Sequence, residues 1–247
     1  MRNIKPTGFD NGNVQEIVAR GVEELGLDLS PGAVSAYEAY FAFLEERGRS
    51  VNLTAITGAD DVARLHFLDS IALLKSTRFV GARVIDVGSG AGFPGIPLKI
   101  TEPSIDLTLL DATGKRVAFV SELCAMLGLD ATFVHARAED AAHEPDMREK
   151  YDIAVSRAVA RLNILCELCL PFVRIGGVFL AMKGIDSSVE LDEARGAIVT
   201  LGAQLLDCFN YTIPGTDISR SAVVIRKTAE TPGKYPRRFA KIQKEPL

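Results

Sequence analysis

Over 247 residues, 28 basic and 32 acidic side chains leave a formal charge of −4, and 47% of the residues are apolar. That apolar share excludes a disordered chain or a low-complexity fibre, and no run approaches the ~18–20 apolar residues of a membrane span. One large domain, or a main domain with an extension, is expected, and the lack of an apolar stretch in Met1–Pro6 predicts a cytoplasmic location.

The first ~77 residues read as helices. Asn13, with Glu16 three positions on, resembles a capping box, and Val14, Ile17, Val18, Val22 and Leu25 follow at helical spacing up to Gly26. Ser30-Pro31 offers an N-cap with proline at the first helical position, and Val34, Tyr37, Phe41 and Leu44 form a stripe that ends at Gly48. A third helix is predicted from Asp60 or Asp61, with Leu65, Leu68, Ile71 and Ala72 facing inward.

From residue 83 the pattern becomes alternating strands and helices. The predicted strands are Arg83–Val87, Asp106–Leu110, Thr132–His135, Asp152–Ser156, Gly177–Met182, Gln204–Tyr211 and Ala222–Lys227. The clearest intervening helix is Lys115–Leu127, stopped by Gly128. Such alternation implies an α/β fold with a mostly parallel sheet. Only Ile213–Arg220 joins the last two strands, too short for a helical crossover, so they should form an antiparallel hairpin.

The most informative stretch is Val84-Ile85-Asp86-Val87-Gly88-Ser89-Gly90-Ala91-Gly92-Phe93-Pro94-Gly95. A buried strand enters a turn whose glycines permit positive φ and close approach of a ligand. Asp111, closing the next strand, is placed to accept hydrogen bonds from ribose hydroxyls. Gly90-x-Gly92-x-x-Gly95 matches a dinucleotide fingerprint, but Phe93-Pro94 would crowd a pyrophosphate and remove one N–H. Asp86, two residues before Gly88, suits the cationic amino-acid end of S-adenosylmethionine. A sulfonium donor, a dinucleotide and a purely structural turn are the three readings.

Cys166 and Cys169 form a C-x-x-C pair inside an apolar run, as small apolar residues on one helix face would. From Arg226 to the end, seven basic side chains face two acidic ones, with Tyr235 and Phe239 interleaved. Such a tail either touches nucleic-acid phosphates or is a solvated terminus.

The sequence resembles the bacterial 16S ribosomal RNA guanine-N7 methyltransferases, the glucose-inhibited division protein B family. The resemblance rests on Asn52-Leu53-Thr54-Ala55-Ile56, His66-Phe67-Leu68-Asp69-Ser70, the glycine turn and Lys115-Arg116-Val117. It continues through Arg137-Ala138-Glu139, Ser156-Arg157-Ala158-Val159-Ala160, Ala181-Met182-Lys183-Gly184 and Lys234-Tyr235-Pro236-Arg237-Arg238. It implies a class I S-adenosylmethionine-dependent methyltransferase fold, Rossmann-like, with a helical extension (1–77), a methyltransferase domain (78–230) and a basic tail (231–247). It also implies methyl transfer to N7 of a guanosine in the 530 loop of the decoding region, with 16S rRNA or the small subunit as partner. Gly88, Phe93, Ala138, Glu139 and Arg157 match donor-contacting positions of that family, and Asp111 the ribose position. Ala112-Thr113-Gly114 depart from its usual pattern.

The chemistry agrees. An exocyclic-amine enzyme would carry an Asn/Asp-Pro-Pro-aromatic turn after the fourth strand, where this chain has Ser156-Arg157-Ala158-Val159. A cytosine-C5 enzyme needs a thiolate beside the donor, and no cysteine is so placed. Guanine N7 carries a free lone pair and no proton, so alignment suffices and no general base is expected.

Candidate donor-binding residues are therefore Asp86, Gly88, Gly90, Gly92, Phe93, Asp111, Ala138, Glu139 and Arg157. Arg157 is the main candidate for positioning substrate or donor. Candidate RNA contacts are Lys183, Arg237, Arg238 and Lys241, while His66 and Asp69 are expected to pair with each other. No metal is expected, and the chain is expected to be a monomer. A non-catalytic RNA-binding module on the same fold is the alternative.

Overall fold

The computed structural model describes residues 13–51, 56–157, 159–185 and 188–247, with side chains described except at 48–51. Asn52–Ala55 and Ala158 of the family motifs lie outside the described residues. The first helix, α1 (Val14–Glu24), opens as expected, the Asn13 side chain accepting from the Glu16 N–H at 2.9 Å. Such a cap contributes about 1 kcal/mol.

Pro31 does not open the second helix. Gly32, at φ 86°, lies in a turn, and α2 (Ala33–Val51) starts after it and runs on through Gly48. Its buried stripe is Ala33, Tyr37, Tyr40 and Leu44, whereas Val34 and Phe41 are only half-buried. The two tyrosines are buried because each hydroxyl finds a partner. Tyr37 donates to Pro97 O at 2.8 Å, and Tyr40 donates to Ala91 O at 2.6 Å. The helix is thereby anchored to the glycine turn.

The next region is not one regular helix. α3 (Ala59–Val62) passes into a π-helical turn, Ala63–Leu68, then α4 (Asp69–Ile71) and a 3-10 turn, Ala72–Lys75. The extra residue per turn changes which side chains face the core, and Leu65, expected inside, is half-buried. π turns recur at functional sites.

From Arg83 the predicted alternation holds: β1 (Arg83–Val87), α5 (Gly95–Thr101), β2 (Asp106–Asp111), α6 (Gly114–Leu127), β3 (Thr132–His135), α7 (Ala138–Ala141) and β4 (Tyr151–Arg157). There follow α8 (Leu162–Cys169), β5 (Val173–Gly184), α9 (Ser188–Thr200), β6 (Ala203–Thr212) and β7 (Ser219–Lys227). Among the described residues these strands form one sheet, ordered β3-β2-β1-β4-β5-β7-β6. β1 to β5 are parallel, and β7 runs antiparallel to both β5 and β6. The expected hairpin is present, but its second strand inserts beside β5. The reason is burial: Ala222–Ile225 are buried on both faces and suit an interior strand, whereas most of β6 is exposed or half-buried and suits an edge. This is the class I methyltransferase arrangement.

Alternate strand residues feed two cores. Leu107, Val155 and Val224 share one face with Val14, Tyr37 and Phe67, so the N-terminal helices form a layer on the sheet. Ile85, Phe179 and Ile225 share the other face with α8 and α9. Cys166 and Cys169 lie wholly buried in that second core, where burial pushes both thiols up. Their spacing serves packing.

Residues 231–247 are not a solvated tail. Tyr235 is buried, and the closing helix α10 (Phe239–Lys244) buries Ile242. Arg237 grips Glu167 on α8, with Nε to Oε1 at 2.8 Å and Nη2 to Oε2 at 2.6 Å, and its backbone N–H adds a third bond. Arg148 and His143 donate to the carbonyls of Thr231, Tyr235 and Pro236. Arg237 is thus an internal tether, its guanidinium engaged by the wholly buried Glu167.

Candidate functional site

The carboxyl ends of the parallel strands open into a cavity of about 790 Å³. Its position and size suit a cofactor or substrate. The glycine turn forms its floor. Gly88 and Gly92 hold φ of 78° and 101°, and a Cβ on Gly92 would meet the Tyr40 hydroxyl at 2.7 Å and Ile96 at 2.5 Å.

The turn's amides are directed inward. Gly88 and Ser89 N–H donate to Leu110 O, Gly92 and Phe93 N–H to Ser89 O, and Gly90 N–H to Asp111 Oδ2 at 3.0 Å. Gly95 N–H donates to Asp86 Oδ2 at 2.8 Å. A pyrophosphate needs such amides free, so a dinucleotide does not fit this turn. Ser89 is among the residues that line the cavity, and its Oγ is buried with no hydrogen-bond partner among the described residues.

Two carboxylates border the same side. Asp111, 4% exposed at its side chain, lines the cavity from the end of β2, with Oδ1 accepting from Thr113 N–H and Oδ2 lying 3.6 Å from Arg116 Nη1. Glu139, in the first turn of α7, lines it beyond β3 beside Ala138, with Arg137 at 3.6 Å. Ligand groups facing them must be donors, such as ribose hydroxyls or an adenine amine. Those contacts fit the adenosyl part of S-adenosylmethionine.

Asp86 and Gly92 do not line the cavity. Asp86 is wholly buried beneath the turn, tying down Gly95, which corrects its expected place beside a cationic ligand. Burial pushes its carboxyl up to about 7, with the Gly95 N–H pulling back. Burial and the Arg157 charge push the His66 imidazole down to about 3. A carboxyl that keeps its proton when folded costs stability as pH rises from its unfolded value near ~4 to about 7. A histidine kept neutral costs stability as pH falls from about 6.5 to about 3. The slopes oppose between about 4 and 6.5. Asp86→Asn removes only the first, so its stability should rise more steeply with pH than the parent's. Urea unfolding at stepped pH measures this, and parallel profiles would mean that Asp86 is ionised in the fold.

The opposite side of the cavity carries Arg157 and Arg220 around Asp69. Arg157, at the end of β4, sends Nη1 to Leu65 O at 3.3 Å and Asp69 Oδ2 at 3.4 Å, and Nη2 to His66 Nδ1 at 3.1 Å. Its guanidinium also lies 4.8 Å from the Phe93 ring centre, and His66 stacks on the same ring at 4.5 Å. His66 and Asp69 therefore meet on Arg157, a third partner that helical spacing could not supply. Tyr211 donates to Asp69 Oδ1 at 2.8 Å, and Arg220 lies 4.0 Å from that oxygen. Burial raises the Asp69 carboxyl, while Arg157, Tyr211 and Arg220 pull it back.

The sequence-predicted Gly88, Gly90, Phe93, Asp111, Ala138, Glu139 and Arg157 are thus brought together on one cavity. Lys183 also lines it, but Nζ is held by Ala160 O and Glu190 Oε2, each at 2.8 Å, so its charge is balanced internally. Arg238 and Lys241 stand exposed on the C-terminal segment. The sequence reading missed Arg220 and Phe239 on the cavity wall. Arg220, the second residue of β7, pairs with Gly184 beside Lys183, a position legible only once β7 pairs with β5.

Similarity to known proteins matches this geometry. A Ribosomal RNA small subunit methyltransferase G from Pelotomaculum thermopropionicum is 47% identical over 234 residues, covering 94% of this chain and 98% of that protein. One from Alkaliphilus oremlandii is 44% identical, covering 95% and 99%. A solved protein from the conversion of a disulfide bond into a thioacetal group in echinomycin biosynthesis superposes with a TM-score of 0.53. At 15% identity, covering 67% of this chain and 86% of that one, it shares the fold alone. The profile of the GidB family, described as rRNA small subunit methyltransferase G, matches residues 33–213, and the chain belongs to that family.

Proposed function

We propose that this chain methylates N7 of a guanosine in the 530 loop of 16S rRNA. The donor is S-adenosylmethionine, which supplies an electrophilic sulfonium methyl group. The observation that carries the reading is the division of the cavity. One side offers the carboxylates of Asp111 and Glu139, and the other offers Arg157 and Arg220 around Asp69. The first suits an adenosyl donor, and the second suits a guanine edge with its flanking phosphates.

The residues need only orient the reactants. Guanine N7 attacks with a lone pair already present, and no proton must be removed. His66 fits that economy, since its Nδ1 lone pair is engaged by Arg157. The helical extension 1–77 contributes His66 and Asp69 to the acceptor side, and 78–230 carry Arg157 and Arg220 there and Asp111 and Glu139 on the donor side. In this reading the enzyme works in the cytoplasm as a monomer on rRNA or the small subunit. No helix among the described residues is long and apolar enough to cross a membrane.

Mass mapping of small-subunit rRNA from cells with and without the gene tests the proposal. An N7-methylguanosine present only with the gene is expected, and identical maps would favour a binding module without catalysis. Asp111→Ala should weaken S-adenosylmethionine binding roughly 10- to 100-fold by calorimetry, since charged hydrogen bonds contribute about 1.5–3 kcal/mol. Unchanged affinity would remove Asp111 from the donor site.

A further inference from the structure

Phe239, in the C-terminal segment, faces the cavity beside Glu139 and Arg137. Taking the cavity as the S-adenosylmethionine site of the reading above, we propose that Phe239 stacks on the adenine of the donor. The docked C-terminal segment is then a wall of the donor site.

Strand order sets the direction of the ligand. The turn after β1 and Asp111 after β2 hold successive parts of it, and β3 is the next strand outward. A ribose on Asp111 therefore sends its base toward the residues after β3, namely Arg137, Ala138 and Glu139. Phe239 stands at that end, with the Arg137 guanidinium 5.7 Å from its ring centre. Glu139, 7% exposed, supplies an acceptor there for the exocyclic amine. An aromatic face, a carboxylate and a guanidinium around one opening form a purine site.

The ring is also well held. Two residues before it, Arg237 is bonded to buried Glu167, and Ile242 on α10 is wholly buried. Phe239 itself is only partly buried against the second core, leaving part of its surface to the cavity. A flexible tail could not hold a stacking platform in register. The tether supplies the rigidity that stacking requires.

Packing alone would also put an aromatic residue here, and substitutions separate the two roles. Leucine at 239 keeps the apolar contact and loses the flat face. Phe239→Leu should bind S-adenosylmethionine, S-adenosylhomocysteine and adenosine each about tenfold more weakly by calorimetry, with the melting temperature unchanged. The sequence contains no tryptophan, so Phe239→Trp introduces a single reporter. Its affinity should match the parent's, and adenosine should quench its emission. Equal adenosine affinity in Phe239→Leu, or unaltered emission of Phe239→Trp on saturation, overturns the stacking role while the donor site stands. A parent protein that binds none of the three ligands overturns the donor site itself.

Discussion

An Arg237→Ala variant is expected to lose about 3–5 kcal/mol of stability, the range found when one partner of a buried ion pair is removed. The cause is Glu167, whose side chain is wholly buried on α8 and receives three hydrogen bonds from Arg237. Truncating the arginine leaves only its backbone N–H against a buried carboxylate. Urea unfolding should show the midpoint falling, with Glu167→Gln added to Arg237→Ala recovering much of the loss. If Arg237 were instead an RNA contact, stability would hold and the salt slope of RNA binding would flatten. That salt effect is expected for Arg238→Ala and Lys241→Ala, which remove exposed charges and should each lower the slope by about 1.

Arg157→Lys should lower methyl transfer by about 10²-fold while keeping the positive charge, as a misplaced reactant can cost that much. A guanidinium reaches Leu65 O, Asp69 and His66 Nδ1 together and lies over Phe93, whereas a single ammonium cannot keep that geometry. The loss should fall on kcat for methylation, with S-adenosylmethionine affinity less affected. Arg157→Ala should additionally cost about 1.5–3 kcal/mol of stability, since Asp69 loses a charged hydrogen bond. Single-turnover methylation beside thermal unfolding separates the effects. Full activity in Arg157→Lys would leave charge, and not positioning, as its contribution.

Much of the fold was legible because local rules wrote it. Asn13 caps α1, Gly128 ends α6 at φ 65°, and β1 and β3 have the predicted bounds. The failures share a cause. Gly32 rather than Pro31 set the start of α2, and Tyr40 is buried against Phe67 and Phe93 with its hydroxyl on Ala91 O, partners distant in the chain. The π turn at Ala63–Leu68 has no periodicity signal of its own.

The site divides in the same way. The sequence alone located the glycine turn and Asp111, because positive φ and a strand-end carboxylate leave marks at short range, and the family resemblance pointed to Glu139 at the start of α7. Tertiary structure alone decided that Arg157 joins His66 to Asp69, that Asp86 serves the turn from beneath, and that Arg237 is spent on Glu167. A charge's role depends on which partner lies within about 4 Å, and for these residues that partner is often tens of positions away in the chain.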